Sequence, residues 1–137
     1  MKETIREVAQ EAVMQERLGF NLLNTKSMAL LKLEDKKYVQ IDFKRLLYIE
    51  AFDKLSLLNF EDGTCITCRS PLYKVQNMLP SGFERVHRAY IVNINHINYV
   101  DVNSKSVCLK NDFSLSFGLS YKESIQKYFV NLHENLI

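Results

Sequence analysis

The sequence lacks long apolar runs, glycine-rich loops and repeats, and each absence excludes a class of protein. No apolar run approaches the roughly 20 residues that a membrane-spanning helix needs. Residues 1–7 do not have the basic-then-apolar order of a signal peptide, and a phosphate-binding glycine loop, an internal repeat, a heptad run and a low-complexity tract are all missing. With 137 residues and 47% hydrophobic content, the chain is expected to form one globular domain in the cytoplasm, without a membrane contact.

The few cysteines and histidines do not form a recognisable catalytic or metal-binding set. Cys65 and Cys68 have CxxC spacing, but they lie in a predicted strand, where positions three apart point to opposite faces. Two buried thiols are therefore favoured over a redox or zinc pair, because no second ligand pair has suitable spacing. His87, His96 and His133 also lack metal-ligand spacing, and no Ser/His/Asp or Cys/His set is indicated. We expect no enzyme activity, no metal and no cofactor.

The formal net charge of +2 is too small to indicate a nucleic-acid-binding protein by itself. From residue 26 onward, fifteen Lys and Arg residues stand against twelve Asp and Glu residues, whereas residues 1–25 have a net charge of −1. Such an excess can still bind DNA if the cations share one face, because the affinity comes from the phosphates that are neutralised. The positions of the cations therefore matter more than their number.

Residues 3–18 have the apolar spacing of an amphipathic helix that ends near Gly19. This helix is interpreted as a linker or packing helix, with a dimer contact as the alternative. A membrane-surface helix is disfavoured because the polar face is acidic as often as basic. The chain is accordingly divided into an N-terminal helix and linker, residues 1–25, and a main domain, residues 26–137. The positions at helical spacing on this face are Ile5, Val8, Ala9, Ala12, Val13 and Glu16.

The main domain is predicted to be mostly β, because short β-prone stretches alternate with charged turns. The Asp62-Gly63 pair marks a hairpin turn, since glycine accepts the positive φ that such turns require. Successive hairpins of this kind predict an antiparallel sheet. The predicted strands are Met28–Leu33, Tyr38–Ile41, Leu46–Ala51, Leu55–Phe60, Cys65–Cys68, Tyr90–Ile94, Ile97–Val102 and Val107–Leu109.

Two short helices are expected among these strands. Ser70 is predicted to cap the first, with Pro71 in its first turn. Ser120 and Glu123 fit a capping box at the start of a C-terminal helix. The fold class is therefore mainly β (α+β), with two short helices besides the N-terminal amphipathic helix. Their apolar stripes are Leu72, Val75 and Leu79 in the first, and Tyr121, Ile125, Phe129, Leu132 and Leu136 in the second.

The segment Phe83-Glu-Arg-Val-His-Arg-Ala-Tyr-Ile-Val-Asn93 sets Arg85, His87 and Arg88 beside a β-prone apolar run. Guanidinium and imidazole groups suit phosphate oxygens and guanine edges, whereas a catalytic site needs convergent acid, base and nucleophile groups. The segment therefore predicts a nucleic-acid contact. On composition alone, a solvated or ion-paired surface explains the same cluster.

This segment, together with Leu47-Tyr-Ile-Glu-Ala51 before it and Leu115-Ser-Phe-Gly-Leu-Ser-Tyr-Lys122 after it, resembles the LytTR family of bacterial DNA-binding domains. The resemblance runs from about Leu30 to Phe129 and follows the order of the family's elements. It implies an elongated antiparallel β domain that binds duplex DNA through loops. It also implies that the chain is the output domain of a two-component response regulator, a transcription regulator.

The resemblance implies particular DNA contacts in the first two loops. His87 and Arg88 match positions at the DNA face, and Arg85 either joins them or pairs with Glu84 or Glu50. After the Tyr-Ile-Glu-Ala strand, Lys54 is expected to contact phosphate and Ser56 a phosphate or a base edge. A simple β-turn is the alternative explanation for the Lys54–Ser56 loop.

The third loop departs from the family pattern, because Gly118-Leu119 stands where a Ser-Arg pair or another polar residue is common. Lys122, or Ser120 through the helix N-terminus, is expected to replace the missing contact. The alternative is that Leu119 faces inward as a hydrophobic staple on the helix.

The resemblance further implies a homodimer on direct repeats of DNA. No segment resembles a receiver domain with its phospho-accepting Asp, so regulation is expected from oligomerisation, a regulatory partner or a separate receiver. The alternative function is a protein-interaction module, derived from a LytTR domain, with reduced DNA affinity. RNA binding through Tyr38, Tyr73 and Tyr99 is the weaker possibility, since strand aromatics more often pack.

Overall fold

The computed structural model describes residues 27–34 and 36–131. The predicted N-terminal helix, residues 3–18, lies outside the described residues, and so do Leu132 and Leu136 of the second apolar stripe and His133. The described chain contains ten strands, two short α-helices and three 3-10 turns. The strands are β1 (Met28–Glu34), β2 (Lys37–Asp42), β3 (Leu46–Phe52), β4 (Leu55–Phe60), β5 (Cys65–Cys68), β6 (Phe83–His87), β7 (Tyr90–Asn93), β8 (Ile97–Asp101), β9 (Ser106–Leu109) and β10 (Ser114–Ser116), and the helices are α1 (Leu72–Met78) and α2 (Lys122–Gln126).

A five-stranded sheet in the order β5-β4-β3-β7-β6 forms the centre of the fold. Its neighbouring strands all pair antiparallel. The predicted turn between β4 and β5 is confirmed: Gly63 has a φ of +89°, and the Asp62 carboxylate accepts the Thr64 N–H at 2.9 Å. This hydrogen bond lowers the pKa of Asp62. The β1–β2 hairpin and a three-stranded sheet, β10-β9-β8, complete the antiparallel architecture.

The central sheet is buried on both faces, so its strands separate two hydrophobic cores. Alternate residues of β3 and β7 enter opposite cores: Ile49 and Ile91 face one, and Tyr48 and Val92 face the other. The first core also receives α1 and the β1–β2 hairpin. The second receives the three-stranded sheet and α2. Strands that are apolar on both faces explain the near-continuous hydrophobic runs of the sequence.

Both helices begin later than the sequence predicts. The residue before α1 is Pro71, and no side chain caps this helix; the Ser70 carbonyl instead accepts the Ser56 hydroxyl at 2.7 Å. Ser120 lies in a 3-10 turn, Leu119–Tyr121, and does not cap α2. The Ser124 hydroxyl hydrogen-bonds to the carbonyls of Tyr121 and Arg85, at 2.7 and 2.6 Å. The two predicted serine caps are therefore wrong, and α2 ends at Gln126 instead of continuing through Phe129.

The CxxC pair lies on opposite faces of β5, as predicted, but only one of its thiols is buried. Cys68 is 3% exposed and contacts the first core, whereas Cys65 is exposed. Burial raises the pKa of the Cys68 thiol, which keeps it protonated. Within residues 27–34 and 36–131, no three His, Cys, Asp or Glu side chains are placed to hold a metal ion. No helix in this part of the chain is long and apolar enough to cross a bilayer.

Candidate nucleic-acid interface

The register of the central sheet brings the first two candidate loops to the same end. β3 continues into β4 through a tight turn at Asp53-Lys54, where Asp53 adopts a left-handed φ of +58°. Tyr90, the first residue of β7, pairs with Glu50 near the end of β3. Because these strands are antiparallel, the β3–β4 turn (residues 53–54) and the β6–β7 turn (residues 88–89) lie beside each other.

Backbone hydrogen bonds hold this end of the sheet together. The Ala51 N–H donates to the Ala89 carbonyl at 2.8 Å, which ties β3 to the β6–β7 turn. Cys68 at the end of β5 pairs with Ser56 near the start of β4, so exposed Arg69 leaves the sheet at this same end. Lys54 and Arg88 are exposed here as well. Three cations, two in turns and one just after β5, therefore share one end of the sheet.

The third loop (residues 118–122) lies against β6 at this end. The Gly118 N–H donates to the Val86 carbonyl at 2.7 Å, and the Ser124 hydroxyl on α2 donates to the Arg85 carbonyl at 2.6 Å. A Cβ atom at Gly118 would lie 3.9 Å from the His87 ring. The three loops that the sequence separates widely are therefore brought together.

The Arg85 side chain extends along the β6–β7 turn and holds it by hydrogen bonds. Its Nε donates to the His87 carbonyl at 3.0 Å, and its Nη2 donates to the Arg88 carbonyl at 2.6 Å. Its Nη1 donates to Gln76 Oε1 on α1 at 3.3 Å, and its guanidinium carbon lies 5.7 Å from the centre of the Tyr121 ring. Arg85 thus links the turn to α1 and to the third loop. This geometry favours a positioning role over a direct DNA contact.

Of the two carboxylates that the sequence offers Arg85, Glu50 and Glu84, neither is among the hydrogen-bond partners given above, and Glu84 is used elsewhere. Glu84 accepts Lys127 Nζ at 2.9 Å and the Tyr128 hydroxyl at 2.7 Å. Burial and the hydrogen bond to Glu84 raise the pKa of Tyr128 to about 12. The expected Arg85–Glu84 pair is therefore wrong, because Glu84 is bound on the side of α2.

His87 is half-buried and held in one orientation. Its Nδ1 accepts the Ala89 N–H at 3.1 Å, and its ring packs on Tyr90 with the ring centres 5.4 Å apart. Because Nδ1 is an acceptor, the proton of the neutral imidazole lies on Nε2. His87 can therefore offer Nε2–H as a donor to a phosphate or a base edge.

Ser56 does not belong to this interface, and its expected contact with DNA is wrong. Its side chain is 0% exposed, and its hydroxyl donates to the Ser70 carbonyl at 2.7 Å. Ser56 lies on the same face of β4 as buried Leu58, two residues away. The alternation of this strand was the sequence signal that could have assigned Ser56 to the interior.

The third loop presents an apolar residue to solvent. Leu119 is 66% exposed, so the inward hydrophobic staple is wrong. Ser120 is exposed and Lys122 is half-buried. Phe52, 60% exposed at the end of β3 beside the β3–β4 turn, is another apolar residue that the sequence argument did not select. Phe52 is exposed because it is the last residue of β3, where burial of the strand falls off towards the turn.

Loops that share one sheet end and carry exposed cations define a module that contacts a large anionic ligand with its loops. The family model of the LytTr DNA-binding domain matches residues 36–130. The chain therefore belongs to the LytTR family of DNA-binding domains. No curated protein matches it significantly. Among solved structures it is similar to the LytTr DNA-binding domain of a Bacillus cereus protein described as a methyl-accepting/DNA response regulator, with 30% identity, a TM-score of 0.61, and coverage of 74% of this chain and 95% of that one.

Proposed function

We propose that this chain binds duplex DNA sequence-specifically and acts as the output domain of a bacterial transcription regulator. The observation that carries the proposal is the convergence of the β3–β4 turn, the β6–β7 turn and the third loop at one end of the central sheet. Membership of the LytTR family supplies the ligand class, and the exposed cations at this end supply the matching charge.

Phosphate contacts are proposed for the cations that surround the loops. Lys54 and Arg88 occupy two neighbouring turns, and Arg69 leaves the sheet beside them. Lys122 adds a half-buried cation at the start of α2. Four such contacts would release about four counterions, so the log of the affinity would fall with the log of salt with a slope of roughly −3 to −4. This local charge compensates for the small net charge of the chain.

Base reading is proposed for the β6–β7 turn. Arg88 is exposed, and as the alternative to a phosphate contact its fork of donors can reach guanine O6 and N7 together. His87 is held with Nε2 available as a donor, and Ser120 adds an exposed hydroxyl from the third loop. Arg85 fixes the two carbonyls of this turn, which sets the direction of both side chains. A fixed turn loses less entropy on binding than a mobile one.

The remaining features of the regulator follow from the same proposal. The main domain, residues 26–137, binds DNA as a homodimer on direct repeats, in the cytoplasm. From the sequence pattern alone, residues 1–25 are proposed as an N-terminal helix and linker. A receiver or another regulatory partner supplies the signal, consistent with the response-regulator description of the similar Bacillus cereus protein.

A protein-interaction module with reduced DNA affinity is the second candidate. Exposed Leu119 favours it, because an apolar side chain stands where a cation would attract phosphate. Phe52 at the neighbouring turn adds a second exposed apolar surface. In this alternative, the loop end of the sheet contacts a protein.

A mobility-shift assay on selected random duplexes distinguishes the two functions. Arg88→Ala should weaken the selected complex, whereas Lys32→Ala, which removes an exposed cation on the β1–β2 hairpin, should not. Capture of a protein partner, with no binding to any duplex at low salt, would establish the interaction module and reject the proposed DNA binding.

A further inference from the structure

An apolar groove lies between β8 and the chain that follows α2. Its volume is about 750 Å³, and all of its lining residues except Asn131 are hydrophobic. β8 contributes Ile97 and Val100, and α2 and its continuation contribute Ile125 and Phe129. None of the eight side chains considered for DNA binding, Arg69 included, lines this groove. Its role is therefore distinct from that of the loop end of the sheet, although Lys122 lies beside the groove wall at Ile125 and Phe129.

The groove exposes more large hydrophobic side chains than a solvated surface needs. Tyr99 is 55% exposed, Val102 45%, Phe129 44% and Val130 74%. Scattered single exposed hydrophobic residues are ordinary, but a contiguous apolar concavity marks a binding surface. Besides Asn131, the polar side-chain groups of the lining are the hydroxyls of Tyr99 and Tyr128, and the Tyr128 hydroxyl already donates to Glu84. An apolar helix face needs no polar partner in such a groove.

The start of the described fold is joined to a lining residue of this groove through two hydrogen bonds. The Ser27 carbonyl accepts the Phe43 N–H at 2.7 Å, and the Phe43 carbonyl accepts Asn93 Nδ2 at 3.3 Å. The next residue, Ile94, lines the groove. Two hydrogen bonds thus connect the start of β1 to the groove wall. Residues 19–26, fully extended, reach about 26–29 Å, which gives the preceding segment ample length to lie on the groove.

The segment before this linker carries apolar side chains that could cover the apolar groove. Residues 3–18 carry Ile5, Val8, Ala9, Ala12 and Val13 on one helical face, with Glu16 in the last turn of the same face, and a helix of this length would be about 24 Å long. A helix of 16 residues is only marginally stable alone, so it needs an apolar surface to pack on. Its alanines permit close approach to a shallow groove.

We propose that residues 3–18 dock as an amphipathic helix in this groove of the same chain. The apolar face then covers Val102 and Phe129, and the mixed acidic and basic face points to solvent. The occupant is thereby a segment of the protein itself. The rival occupants are the same segment of a second copy and the chain end, residues 132–137.

Reciprocal substitutions in the full-length protein test this docking. Val8→Asp places a charge on the apolar face of the segment, and Val102→Asp places one in the groove. Val8→Asp should speed hydrogen exchange about tenfold in residues 97–102 and 125–131, and Val102→Asp should speed tryptic cleavage after Arg17 by a similar factor. Because Val102 is partly exposed, its substitution should leave both cores intact, and a melting transition that stays cooperative checks this.

Matched controls keep the charge and move it off the contact. Gln10→Asp lies on the polar face of the segment, and Asn103→Asp is exposed and does not line the groove. Both should leave exchange and cleavage at the wild-type rates. Ala12→Asp repeats the test of the apolar face and should reproduce the effect of Val8→Asp.

Three results would overturn the proposal. Wild-type rates in Val8→Asp and Ala12→Asp mean that the segment does not cover the groove. Protection that disappears on dilution, in step with dissociation of a dimer in sedimentation, assigns the occupant to a second copy. Exposure of the groove by removal of residues 132–137, without an effect of Val8→Asp, assigns the groove to the chain end. Each result is independent of whether the loops bind DNA.

Discussion

The β6–β7 turn and the third loop lie side by side, yet they offer a ligand opposite surfaces. The turn carries Arg88 and His87, and Arg85 holds its carbonyls from within. The third loop carries exposed Leu119 and is tied to β6 by a backbone hydrogen bond from Gly118. One loop combines charge with a fixed backbone, whereas the other is apolar at its most exposed residue. Affinity for an anion should therefore come mainly from the turn.

This difference also separates two kinds of arginine in one short segment. Arg88 is exposed and its side chain is directed to solvent, whereas Arg85 uses its donors on neighbouring carbonyls and on Gln76. A cation that contacts phosphate changes the salt dependence of binding. A cation that only positions a loop changes the affinity and leaves the salt dependence unchanged.

Removal of the exposed cation should have the largest effect on DNA binding. Arg88→Ala should weaken binding to the selected duplex by about 1–3 kcal/mol and reduce the salt slope by about one unit. The melting temperature should remain at the wild-type value, because the side chain is exposed. Salt titrations by fluorescence anisotropy and a thermal melt provide the measurements. A much lower melting temperature, with unchanged binding per folded molecule, would make Arg88 a structural residue.

Loss of the Arg85 hydrogen bonds that hold the β6–β7 turn should weaken binding in a different way. Arg85→Ala removes the bonds to the His87 and Arg88 carbonyls, so the β6–β7 turn loses its fixed backbone. We expect about 1–2 kcal/mol of lost affinity and a similar loss of stability, at an unchanged salt slope.

The matched variant Arg85→Lys keeps the charge but cannot reproduce the fork of the guanidinium, so it should resemble Arg85→Ala. The same salt titration and melt compare the two variants. A slope that falls by one unit in Arg85→Ala and is restored in Arg85→Lys would instead assign Arg85 to a phosphate.

The sequence predicted the strands better than the hydrogen-bond partners of Arg85. Alternation and turn residues are local signals, so β4 and β5 were predicted with the bounds that the structure has. The partners of Arg85 are two backbone carbonyls and Gln76, which carry no complementary charge. A carboxylate partner such as Glu84 was therefore the more obvious prediction, although the fold directs Glu84 to Lys127.

The start positions of the two helices and the burial of Ser56 show the same limit of local sequence signals. Ser70 and Ser120 fit local capping patterns, but neither serine side chain caps the helix that follows it. Ser56 lies in a strand that was predicted correctly, but the family resemblance assigned it to the DNA-contacting loop, whereas the strand places it inside. Local chemistry indicates what a side chain can do, and the tertiary contacts decide what it does. The three-loop convergence came from the family resemblance and not from local signals.

Conversion of the third loop into a cationic loop should reduce the contrast with the turn. Leu119→Arg should strengthen binding to nonspecific duplex by about 1 kcal/mol and steepen the salt slope by about one unit, because it adds a phosphate contact. Stability should change little, since Leu119 is 66% exposed. The neutral polar control Leu119→Gln should not change the slope. An unchanged slope in Leu119→Arg would mean that the third loop does not approach the phosphates.

The smallest expected effect comes from stiffening the third loop without changing its charge. Gly118 has a φ of −85°, which any residue adopts, and a Cβ there would lie 3.4 Å from Tyr121 Cδ2 and 3.9 Å from the His87 ring. Gly118→Ala should therefore raise stability by about 0.4–1 kcal/mol, because it restricts the unfolded chain more than it crowds the folded one. The melt should move up by about 2–6 °C, with DNA affinity within about twofold of wild type. Lower stability would show that Tyr121, held beside the Arg85 guanidinium, cannot yield. In that event the third loop is as fixed as the β6–β7 turn, and the two would differ only in the charge they present.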